Sequence, residues 1–197
     1  MTPDDGASTS GLAGLDDVEW VFGYGSLMWE PGFEHLDARP ATLPGYHRSF
    51  CLYSHHYRGT REAPGLVLGL NRGGSCRGIA FRVARECWRE AVAYLDEREL
   101  IGYAYLPRIV DIEIDGAAAN AYTFVADADH PHYAGDLGIE RSADLIMNAA
   151  GKNGLNRDYL IRTVRKLEDE GFLDPSLHDL LASVEQRTGA LDMGAGI

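Results

Sequence analysis

Short apolar runs broken by turn residues fill the first two thirds of the chain, and stretches of helical periodicity dominate the remainder. The runs predict strands at Glu19–Tyr24, Ser49–Ser54, Gly65–Leu70, Arg77–Val83, Pro107–Ile114 and Asn120–Val125. Asn71-Arg72-Gly73-Gly74 and Asp115-Gly116 predict hairpin turns between neighbouring runs. Helical spacing predicts a crossover helix over Ala84–Leu100, then helices over Ser142–Ala150, Asn156–Glu170 and Pro175–Arg187. Asp174-Pro175 supplies the last of these with a capping side chain and a proline in the first turn. Strands followed by helices, without regular alternation, predict an α+β domain: a small curled mixed sheet or barrel with packed helices and a helical C-terminal part. A doubly wound parallel sheet would need the two to alternate. The domain is expected over 18–188, after a disordered leader (1–17) rich in Gly, Ser, Thr and Asp and before a flexible tail (189–197).

One residue conflicts with this pattern. Trp88, Ala91, Val92 and Leu95 form the apolar stripe of the crossover helix. At about 100° per residue, Glu99 falls only about 20° round from Trp88, inside that stripe. Glu90 and Glu97 point away from it, as surface glutamates do. A carboxylate on a buried face is paired, protonated or in use. Periodicity alone leaves two readings open: a frayed helix end where Glu99 reaches solvent or an arginine, or a functional carboxylate.

A second feature is Val21-Phe22-Gly23-Tyr24-Gly25-Ser26-Leu27-Met28, an apolar run that breaks into a glycine-punctuated turn carrying a phenol and a hydroxyl. A dinucleotide fingerprint would need glycine at Met28, and a nucleophile elbow would need glycine at both Tyr24 and Met28. What remains is a tight turn, or a loop whose N–H groups converge on a carboxylate or phosphate. Likewise Gly151-Lys152-Asn153-Gly154-Leu155-Asn156 can offer N–H groups to an anion, or Asn156 can serve as an ordinary N-cap.

The 197 residues suit one domain with a sizeable core, and no apolar run approaches the length of a membrane span. Residues 1–17 have neither the basic region nor the apolar core of a secretory signal. A net charge of −12 argues against a nucleic-acid partner. Between His47 and Arg85, however, seven arginines face a single acid, Glu62. They either steer a small anion into a cleft or pair with the acidic ends of the chain. Cys51, Cys76 and Cys87, odd in number and widely spaced, fit a reducing cytoplasm better than a disulfide framework. Asp127, Asp129, His130 and His132 cluster in sequence without a metal-ligand spacing, so no metal is expected.

From Glu19 to about Arg187 the chain resembles the ChaC-like γ-glutamylcyclotransferases. The resemblance is carried by Phe22 to Trp29, Pro44-Gly45-Tyr46-His47-Arg48-Ser49-Phe50-Cys51, Arg58-Gly59-Thr60 and Pro64-Gly65. It continues in Arg98-Glu99, Tyr105-Leu106-Pro107, His130-Pro131-His132-Tyr133 and Gly151 to Leu160. It implies a γ-glutamylcyclotransferase-like fold, no cofactor, and cleavage of glutathione to 5-oxoproline and cysteinylglycine. It makes Glu99 the general base. Gly23, Tyr24, Gly25, Ser26, Leu27 and Met28 become the loop that receives the γ-glutamyl group, and Tyr133 a pocket residue. Lys152 stands where many relatives have proline, Asp158 stands where they have glutamate, and 100–104 matches less closely. These departures bear on substrate range, leaving other γ-glutamyl peptides or amines as alternative substrates. A non-enzymatic alternative is a γ-glutamyl-ligand-binding protein, since relatives have been described as cation transport regulators. Oligomeric state is not legible in the sequence.

Overall fold

The structure is a computed structural model that describes residues 14–100 and 104–194. Its smallest barrel strand, β1 (Trp20–Gly23), has Val21 and Phe22 both fully buried. Successive strand residues face opposite sides, so β1 must be covered on both. Phe22 joins the barrel interior, and Val21 joins an outer layer with helix α1 (Trp88–Leu100). β1 pairs antiparallel with β3 (Gly65–Arg82) and parallel with β5 (Ala117–Ala126). With β2 (Asp37–Ser54) and β4 (Tyr105–Ile114) it completes a closed barrel in the order β1-β3-β2-β4-β5. Closure removes the exposed sheet edges that a curled sheet would leave.

The segment Asn71–Gly74 is not the predicted hairpin turn. Gly65–Leu70 and Arg77–Val83 belong to one 18-residue strand apart from Val83 itself, which lies just past its end. This strand pairs with β2 from Asp37 to Ser54. Gly73 and Gly74, with φ of 98° and 69°, lie across from Gly45 (φ 79°), where the register shifts between Pro44 and Tyr46. The positive-φ glycines therefore bend a continuous ribbon instead of reversing it. β2 also begins twelve residues before the predicted Ser49, because Pro40 and Pro44 and the exposed side chains around them hide a strand that lacks simple alternation. Asp115 (φ 51°) and Gly116 (φ 79°) do form the expected tight hairpin, between β4 and β5.

Three helices close the rest of the core: α2 (Gly138–Asn148), α3 (Asn156–Asp169) and α4 (Pro175–Gly194). α2 starts earlier than predicted. α4 runs beyond Arg187 into the segment read as a flexible tail, of which 195–197 lie outside the described residues. Of the expected leader, 1–13 lie outside them too, and Leu15–Asp17 form a short 3-10 turn.

Between α2 and α3 sits a small hairpin, β6 (Ala150–Gly151) and β7 (Gly154–Leu155). Lys152 N–H donates to His56 O and Asn153 N–H to Tyr57 O, both at 2.9 Å. These N–H groups are thus committed to the loop after β2 and do not form the anion cradle considered from the sequence. Asn156 is not an N-cap either. Fully buried at the first residue of α3, it accepts from Leu66 N–H at 2.7 Å and donates to Leu66 O at 2.8 Å. Its amide extends the ladder at the edge of β3 and fixes α3 to the barrel. Replacing it (Asn156→Ala) strands two buried backbone groups, each costing about 1–3 kcal/mol. The urea midpoint is expected to fall by the equivalent of about 2–6 kcal/mol with an unchanged m-value.

Candidate active site

The chain leaves β1 at Gly23 and turns at once through a 3-10 segment, Ser26–Met28. A Cβ on Gly23 would lie 3.0 Å from Leu27 Cβ and 3.3 Å from the Phe81 ring. A side chain here would push Leu27 and Phe81 back by a few tenths of an ångström, so glycine lets the loop fold tightly onto the strand end. The turn's own hydrogen bonds start with Met28 N–H to Gly25 O, 2.9 Å. The N–H groups of Gly25, Ser26 and Leu27 precede that bond, as the leading donors of a helical turn do.

Helix α1 brings the carboxylate to this loop. Its buried residues are Trp88, Ala91, Val92 and Leu95, the predicted stripe, and they pack outside β1 and β5 against Val21, Leu27, Tyr122 and Phe124. Tyr122 OH donates to Asp96 Oδ1, tying the helix to β5. Glu99, one turn beyond Leu95, therefore arrives at the barrel end where β1 stops. It lines a small pocket with Tyr24, Gly25, Ser26, Leu27, Leu68, Tyr105, Phe124 and Tyr159.

The electrostatics of this pocket are set by burial. The Glu99 side chain is 16% exposed, and loss of water pushes its carboxyl above the usual glutamate range. Arg98, whose Nε lies 3.1 Å from Glu99 Oε1, pulls the other way without cancelling the effect. Of the readings left open by the periodicity, the arginine contact is present although the helix continues to Leu100, and the carboxyl is still desolvated. The same guanidinium donates to Ser26 Oγ at 3.0 Å and to Glu30 O at 2.6 Å. Arg98 thereby fastens the loop and the carboxylate in one arrangement. Burial, and then the nearby Glu99, hold the Tyr24 phenol well above its ordinary pKa. Tyr24 is a hydrogen-bond donor throughout the working pH range.

Of the sequence candidates, Tyr24, Gly25, Ser26, Leu27 and Glu99 come together in this pocket. Gly23 shapes the loop from behind. Met28 is buried in the barrel core and does not line the pocket. Tyr133 does not line it either: its segment bridges to Leu52 on β2, and its hydroxyl donates to Asn71 Oδ1 at 3.0 Å. Leu68, Tyr105, Phe124 and Tyr159 went unread because each looks like a core residue on its own strand or helix. Tyr105 OH donates to Leu68 O at 2.5 Å, and Tyr159 packs edge-on to Phe50. Four of the lining residues, Ser26, Glu99, Tyr105 and Tyr159, also line an outer cleft of about 420 Å³. Of the seven central arginines, Arg58 reaches that cleft, whereas Arg48 pairs with Asp174 at 3.4 Å. Among the described residues, no group of three or more His, Cys, Asp or Glu side chains is arranged to hold a metal ion.

The closed barrel sets a glycine loop beside a desolvated glutamate in one small pocket, an arrangement chemically able to move a proton on a bound small molecule. The chain belongs to the ChaC-like family, whose pattern it matches over residues 19–187. It is 40% identical over 168 residues to the glutathione-specific gamma-glutamylcyclotransferase of Escherichia coli, covering 85% of this chain and 73% of that protein. It is 35% identical over 148 residues to glutathione-specific gamma-glutamylcyclotransferase 1 of Danio rerio, covering 73% and 76%. Its fold is that of a crystal structure of a yeast gamma-glutamyl cyclotransferase specific to glutathione, with a TM-score of 0.79 at 20% identity over 85% of this chain and 96% of that one.

The raised carboxyl has a consequence for stability. Glu99 binds its proton more tightly folded than unfolded, so stability falls as pH rises from the ordinary glutamate value through the raised one. The penalty is absent below that window and complete above it. Glu99→Gln is expected to melt higher than the wild type at neutral pH, with the difference closing near pH 4, about the value for an unperturbed glutamate. Thermal melts across pH measure this directly.

Proposed function

We propose that the chain is a γ-glutamylcyclotransferase that cleaves glutathione to 5-oxoproline and cysteinylglycine, with Glu99 as the proton acceptor. The observation that carries this reading is the desolvated Glu99 carboxyl in the same pocket as the Gly25-Ser26-Leu27 loop. Two relatives named for this activity, each at least 35% identical over most of the chain, support the substrate. Three free thiols and the absence of any described helix long and apolar enough to cross a membrane accord with a cytoplasmic setting, where glutathione is abundant.

The reaction is an attack within one molecule: the substrate's α-amine closes a five-membered ring on its own γ-carbonyl. Held in the right conformer, such an attack has a large entropic advantage. The obstacle is the proton. An ordinary glutamate (pKa about 4.3) deprotonating an α-ammonium (about 8) works uphill by nearly four units, about 5 kcal/mol. Burial of Glu99 narrows that gap. Glu99 takes one proton from the ammonium, and the freed nitrogen bonds to the carbonyl carbon of the γ-amide (Cδ of the γ-glutamyl group). As the tetrahedral centre collapses, the amide C–N bond breaks and Glu99 returns that proton to the departing nitrogen. The ring nitrogen's surplus proton follows it, so cysteinylglycine leaves as an ammonium and the lactam keeps one N–H.

In this account the N–H groups of Gly25, Ser26 and Leu27 receive the substrate α-carboxylate and stabilise the developing oxyanion. The Tyr24 phenol donates a hydrogen bond in the pocket wall. Ser26 is a binding hydroxyl already engaged by Arg98, not a nucleophile.

Purified protein incubated with glutathione is expected to release 5-oxoproline and cysteinylglycine, both detectable by mass spectrometry. Glu99→Gln should lower kcat by about 10²–10⁴-fold while leaving the fold intact by circular dichroism. Turnover retained in that variant would remove Glu99 from its role. Because the ionised form accepts the proton, kcat/KM should rise with pH along an acid limb that lies above an ordinary glutamate's pKa.

A further inference from the structure

The outer cleft has two dissimilar walls. One, built from the loop after β1 and the end of α1, carries Glu30, Glu97 and Arg98. The Arg98 guanidinium is already committed to Ser26, Glu30 O and Glu99. The other is built from the loop after β2, the β6–β7 hairpin and α3, and its charged residues are Arg58 and Arg162. Arg58 is a fixed charge: Nη1 donates to Asn153 O at 2.5 Å, and the guanidinium lies 5.2 Å from the Tyr159 ring centroid. Arg162 follows Tyr159 by three residues, so both lie on the same face of α3. It is exposed, and it has no acidic partner among the described residues.

Tyr159 lines both the inner pocket and the cleft. A ligand whose reacting end sits by Glu99 therefore passes this ring and emerges toward Arg162. An extended two-residue leaving group spans about 7 Å, and a cleft of about 420 Å³ has room for it. Its far end is a carboxylate, for which arginine has both the charge and the paired donors.

We propose that Arg162, beside the fixed charge of Arg58, receives the C-terminal carboxylate of the leaving group, so that the outer cleft selects γ-glutamyl peptides ending in a free carboxylate. This rests on the cyclotransferase reading above and adds to it the residue that discriminates among γ-glutamyl substrates. Glu30 and Glu97, which line the same cleft from the other elements, sharpen the choice, because they repel a carboxylate placed beside them.

The test compares kcat/KM for glutathione and for glutathione whose glycine carboxylate is converted to an amide. Both are assayed by 5-oxoproline release with wild type, Arg162→Gln and Arg162→Lys. Wild type is expected to prefer the free carboxylate about tenfold, equivalent to about 1.4 kcal/mol, with the difference residing in KM. Arg162→Gln should shrink that ratio toward one, and Arg162→Lys should keep most of it. Equal use of the two substrates by wild type, or an undiminished preference in Arg162→Gln, overturns the assignment of Arg162 alone. Folded wild type that releases 5-oxoproline from neither substrate overturns the cyclotransferase reading and this proposal together.

Discussion

Closure of the barrel by a four-residue strand is the constraint on which the remaining architecture hangs. β1 satisfies β3 on one side in antiparallel register and β5 on the other in parallel register. Thr123 Oγ1 donates to Phe22 O at 2.8 Å near the end of that pairing. Because the strand is closed in on both edges and buried on both faces, its end point is fixed, and the loop from Gly23 to Met28 starts from a rigid position. α1 packs on the outside of the same strand, so the residues of loop and helix that face each other are set by one short segment of backbone.

The site itself is a controlled electrostatic conflict. Desolvation alone would neutralise Glu99, and a close ion pair alone would hold it ionised at low pH. Arg98 stands near enough to orient the carboxylate, yet it is partly occupied by Ser26 and the Glu30 carbonyl. The result is a carboxyl that is fixed in place and still raised in pKa. A carboxyl so placed costs stability when ionised, a strain commonly stored at functional positions.

Helical phase was enough to find Glu99, since the stripe from Trp88 to Leu95 is buried as the spacing predicted. The glycine loop was legible as a sharp break after an apolar run. The neighbouring roles were not. Met28 and Tyr24 look equivalent in sequence and both are buried in the barrel core, but only Tyr24 also lines the pocket. Tyr133 and Tyr159 both belong to segments shared with the family, and only Tyr159 lines the pocket with Glu99. The Asn71–Gly74 segment misled because paired glycines suit a reversal as well as a bend, and local residues do not say which. A partner strand with its own break at Gly45 decided it.

What the sequence determined by itself was local and periodic: which face of α1 is apolar, where strands end, which turn at Asp115-Gly116 reverses the chain, and which family the pattern resembles. Those features follow from side-chain spacing and backbone preference within a few residues. Only the tertiary structure decided that the polar stretch from Asp37 onward is a strand, that Asn156 bonds the edge of β3, and that Arg98 binds Ser26 across a sequence separation of 72 residues. Each depends on barrel closure bringing distant backbone into contact, and on the removal of water there, which no local pattern encodes.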